Sequence, residues 1–109
     1  MSNARNIANL PNGDDAPVYA CRAWVHFDGT GTPAISASGN VSSITDNSTG
    51  DHTVNMTTAM PDANYSVLAT NELHAFIPSG QTTTSFRIIS EAFSGSGTDY
   101  DDISAAVFR

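Results

Sequence analysis

The chain has 109 residues, 4 arginines, no lysine, 11 acidic side chains and a net charge of -7. That length sets one domain with one modest core. So few cations exclude phosphate-backbone binding and a polybasic membrane contact, both of which need clustered Lys and Arg. The single cysteine excludes an internal disulfide.

Residues 1–17 carry Met1, Ile7 and Leu10 as their sizeable apolar side chains, set among Asn, Asp, Pro and Gly. They read as an extended N-terminal arm without a core of its own. From Val18 the pattern has period two. Tyr19, Cys21, Ala23, Val25 and Phe27 alternate with Ala20, Arg22, Trp24 and His26. This predicts a strand with the first set facing the core, followed by a turn at Asp28-Gly29-Thr30-Gly31. Short strands are predicted around 34–37 and 41–44, and a turn over 45–51. A strand over 52–58 then leads into the connection 59–65, where Pro61, Asp62 and Asn64 favour local turns. Residues 65–71 read as a strand and 71–77 as a loop or strand extension. A threonine-rich strand follows at 83–90, then a glycine-rich loop at 94–102 and a last strand at 103–108.

Short strands joined by Gly, Asn, Asp and Pro turns predict an all-β fold. The expected architecture is a single antiparallel β-sandwich or barrel-like domain over 18–109, preceded by the arm. Tyr19, Cys21, Val25, Phe27, Val54, Met56, Tyr65, Val67, Phe86, Ile88 and Val107 are expected to be mostly buried. No apolar run approaches the roughly 20 residues of a membrane span. No basic-then-apolar leader is seen, so synthesis and folding in the cytoplasm are expected.

The chemistry-bearing residues do not assemble into a motif. His26, His52 and His74 fall on separate elements, without the paired spacing of a metal site, and read as surface or partly buried polar residues. Asp99, Asp101 and Asp102 flank Tyr100 at a spacing unlike a calcium loop and read as solvated acids. Cys21 and His26 are five apart on a strand and point to opposite faces, so Cys21 reads as a small core residue. Asn40, Asn47, Asn55 and Asn64 fit the glycosylation pattern by chance in an Asn-, Ser- and Thr-rich chain. Arg22 and Trp24 share the outward face and are, with Ile7 and Leu10 of the arm, the candidate interface residues. No catalytic residue, cofactor or metal is expected.

"ACRAWVHFDGTG" (20–31), "ASGNVSSITDNSTGDHTVNMTTAMPDANYSV" (37–67) and "ISAAVFR" (103–109) resemble a module of tail fibres and other virion proteins of marine bacteriophages, cyanophages especially. The resemblance covers most of 18–109. The chain departs from the module at His26 and Asp28, where Asn is usual, and at His52 and Met56, where aromatics are usual. The resemblance implies a structural virion protein rather than an enzyme, a tail-fibre or tail-associated part in contact with the host surface. The alternative is a capsid decoration, cement or head-fibre protein without a host ligand. Its implied partners are copies of itself as a homotrimer, other virion proteins and host surface glycans, with no nucleic acid and no membrane insertion. Its place is the virion.

Overall fold

The structure is a computed structural model that describes residues 19–71, 77–89 and 98–109. The arm with Ile7 and Leu10, and His74, lie outside the described residues. The elements are β1 (Cys21–Asp28), β2 (Ala34–Gly39), β3 (Val41–Ser48), β4 (Asp51–Met56), β5 (Ser66–Thr70), β6 (Ile77–Ser79), β7 (Ser85–Ile89) and β8 (Ile103–Phe108). They form two four-stranded sheets of order β2-β1-β8-β5 and β3-β4-β7-β6. Every pairing is antiparallel. This is the expected all-β sandwich. Among the described residues no helix is long and apolar enough to cross a membrane.

The period-two pattern becomes a core through cross-strand register. In the first sheet Val25 and Phe27 of β1 oppose Ala105 and Ile103 of β8, and Val67 and Ala69 of β5 oppose Val107 and Ala105. In the second, Val54 of β4 opposes Phe86 of β7, and His52 opposes Ile88. The facing rows bury Ala23, Val25, Phe27, Val54, Met56, Phe86, Ile88, Ile103, Ala105 and Val107. Small Ala23, Ala69 and Ala105 share this core with the large rings of Phe27 and Phe86.

The connection between β4 and β5 closes one end. Met60 is buried, and its N–H donates to the Thr83 carbonyl at 2.7 Å. The Tyr65 hydroxyl shares its one proton between the carbonyls of Thr82 and Ser85, both at 2.7 Å, while its ring meets Phe86 edge-on at 6.3 Å. Burial pushes the Tyr65 phenol above its ordinary pKa.

Three expectations are corrected. Tyr19 is 81% exposed and Cys21 is exposed. Both lie on the inward phase, but the ladder between β1 and β8 shifts register between Cys21 and Ala23, and the core ends at Ala23. Alternation says which way a side chain points, not how far the opposing sheet extends. Val67, on the edge strand β5, is mostly buried against the core, as expected. The expected turn over 45–51 narrows to Thr49 and Gly50. Thr45 pairs with Thr53 and Asp46 with His52, so β3 continues to Ser48. Gly50 takes φ 73°, a left-handed conformation that side chains rarely adopt.

Candidate functional site

The outer surfaces of the two sheets differ. On the β3-β4-β7-β6 sheet the outward residues are mostly hydroxyls and amides, with the Asp51–Arg87 pair and Ile89 among them. Asn55 Nδ2 donates to Ser43 Oγ at 3.1 Å and to Thr45 Oγ1 at 3.0 Å. Asn47 Nδ2 donates to Thr53 Oγ1 at 2.8 Å and to Asp51 Oδ1 at 3.1 Å. Asp51 pairs with Arg87, whose guanidinium holds the Asp51 carboxyl below its ordinary pKa. Two of the asparagines that fit the glycosylation pattern are therefore cross-strand ladder residues.

The outer surface of the β2-β1-β8-β5 sheet is apolar along its middle. One row across the strands reads Gly39, Trp24, Ala106, Leu68, and the next reads Ala37, His26, Ser104, Thr70. Small residues on β8 and larger ones on β1 and β5 leave a trough of about 530 Å³, walled by Trp24 and His26 on one side and Leu68 and Thr70 on the other. Ser104 and Ala106 lie along it. Trp24 is 43% and Leu68 65% exposed. The Trp24 ring lies over Gly39, where an added Cβ would stand 2.8 Å from Trp24 Cδ1. That glycine is a place for the ring to lie flat across the strand, a known way for an aromatic to cover a glycine.

Ser104 and His26 line the trough and Asp102 stands beside His26, in composition a nucleophile, a base and an acid. Their geometry is different. His26 Nε2 donates to Asp102 Oδ1 at 2.5 Å, with both side chains about half exposed. Ser104 is opposite His26 in the ladder, yet no hydrogen bond joins its hydroxyl to the ring. β1 and β8 are both inner strands, so their amides are committed to neighbours rather than pointing at a developing oxyanion. Arg22, the other expected interface residue, is exposed at the start of β1, with Nη1 3.4 Å from the Arg109 carbonyl.

His52 stands apart from the expectation for it, being 1% exposed. Its Nε2 donates to the Gly29 carbonyl at 3.2 Å, and its ring meets Phe27 at 5.7 Å. Asp99 Oδ1 and Asp46 Oδ1 approach the same nitrogen at 3.9 and 4.0 Å. With the proton on Nε2, that nitrogen has no lone pair to offer a metal. Among the described residues no group of three or more His, Cys, Asp or Glu is placed to hold a metal ion. Asp99 also accepts the Gly50 N–H at 2.7 Å, and Tyr100 O accepts the Gly29 N–H at 2.8 Å. The acids read as solvated are thus partly structural: Asp99 ties two loops together and Asp102 holds His26, while Asp101 is exposed.

Comparison with protein-family models, with curated proteins and with solved structures finds no match to this chain.

Two features escaped the sequence reading although their signals were present. His52 sits on the same phase as Val54 and Met56, which marks it as inward. Leu68 is a large apolar side chain on the outward phase of β5, between Val67 and Ala69, which marks an outer surface that needs covering.

Proposed function

We propose that this chain is a structural protein of a bacteriophage virion, a tail-fibre or tail-associated module that acts by assembly and contact rather than by catalysis. The observation that carries the reading is the asymmetry of the sandwich. One outer surface is a hydrogen-bonded lattice of Asn, Ser and Thr, and the other is an open trough between Trp24 and Leu68. A part that must dock on neighbours and stay soluble elsewhere needs that division. The segments that resemble virion modules supply the scaffold of both surfaces. Residues 21–25 lie in β1 beneath the trough. Residues 39–47 make the passage from β2 into β3, and 60–67 close the end of the sandwich.

Antibodies raised against the folded chain test this in electron micrographs of virions. Labelling at the tail supports the reading, and a distal position there brings host surface glycans within reach. Labelling confined to the capsid replaces it with a head-decoration role. Particles that carry none of the chain overturn it.

A further inference from the structure

The trough surface is complete as a fold element and has no covering layer among the described residues. We propose that a second copy of this chain docks on the outer face of the β2-β1-β8-β5 sheet, through Trp24 and Leu68. This deepens the assembly reading by naming the partner.

Two observations select a second copy and a third sets its strength. The first is charge. A chain of net charge -7 repels its own copies. Among the described residues the other aspartates sit at turns and on the other sheet, and the two that reach this face, Asp28 and Asp102, lie together at one end of it, held by Thr30 and by His26. With Arg22 at the opposite border, two copies whose β1 strands run in opposite directions meet here with these carboxylates at opposite ends. The second is shape. Trp24 and Leu68 stand as ridges on either side of a floor of Ser104 and Ala106. A ridge of one copy fits the trough of the other, the self-complementary arrangement of isologous contacts. The third is area. Four strands about 4.8 Å apart, five to eight residues long at about 3.4 Å per residue, make a plate of roughly 19 by 21 Å. Covering it from both sides removes roughly 800 Å² of accessible surface, below the standard size of stable specific interfaces. The contact is therefore a weak and reversible one.

Sedimentation velocity on the full chain across a concentration series tests this. The wild type forms a dimer as concentration rises. Leu68→Glu, at a position already two-thirds exposed in the folded chain, weakens association about tenfold or more by burying a carboxylate against its partner. Trp24→Ser does the same, and circular dichroism confirms that both variants stay folded. Thr45→Glu, on the outer surface of the other sheet, leaves association unchanged. A monomeric wild type overturns the proposal. So does association that survives both trough variants, or that is lost only when residues 1–16 are removed. A monomer that still enters virions leaves the virion reading standing, and a Trp24-dependent multimer absent from virions leaves the docking face standing.

Discussion

Single side chains set the boundary between packing and exposure in this molecule. Gly39 keeps a flat bed for Trp24. Gly39→Ala puts a methyl against the indole and tips it off the strand. Because the ring is on the outer surface, the expected loss of stability is small, under about 1 kcal/mol. Near-ultraviolet circular dichroism of the sole tryptophan should change clearly. His52 is the opposite case. His52→Ala leaves a cavity and an undonated Gly29 carbonyl, for an expected loss of about 2–4 kcal/mol by urea unfolding. Asp62 shows the electrostatics of an exposed pair. Arg109, and then the Asn64 N–H, lower its pKa from 3.8 to about 2. A carboxyl whose pKa is lowered by folding stabilises the folded state above its unfolded pKa. That contribution fades as pH falls from about 4 towards 2. Arg109→Gln should move the Asp62 titration, followed by NMR, back towards 3.8.

At the scale of elements, the passage from one sheet to the other turns on Asn40. Its φ of 56° is left-handed, which Asn tolerates better than most side chains. Its Nδ2 donates to the Arg22 and Thr58 carbonyls at 3.2 and 3.1 Å, and its Oδ1 accepts the Thr58 N–H at 2.7 Å. Asn40→Gly keeps the backbone and loses the three bonds, so it should cost about 1–2 kcal/mol. Asn40→Ala loses both and should cost more, about 2–3 kcal/mol, which ranks the two in thermal unfolding. Strands were legible in the sequence wherever alternation was strong, as in Ala23-Val25-Phe27 and Val54-Met56. The polar half of β3 was not, because Thr45, Asp46, Asn47 and Ser48 earn their strand by pairing with β4 and carry no apolar signal. The outward direction of Trp24 could be read from period two. Its bed on Gly39 could not, since that depends on which strand pairs with β1 and in what register.

The whole molecule is a sandwich with one surface finished in hydrogen bonds and one left open. With the Nε2 proton of His52 committed to Gly29 and the Asp99 carboxylate to Gly50, chelator treatment should leave the melting temperature unchanged. A fall of several degrees would mean an ion is bound. The open surface carries the central claim, that assembly occurs over the trough, and the chain contains its own probe of it. Trp24 is the single tryptophan and forms one wall of the trough. The most direct measurement is its fluorescence in the full chain as protein concentration rises, with acrylamide as quencher. The account predicts that emission shifts to the blue and quenching falls as copies cover the ring, and that Leu68→Glu abolishes both changes. Emission and quenching that stay constant up to the solubility limit would contradict it.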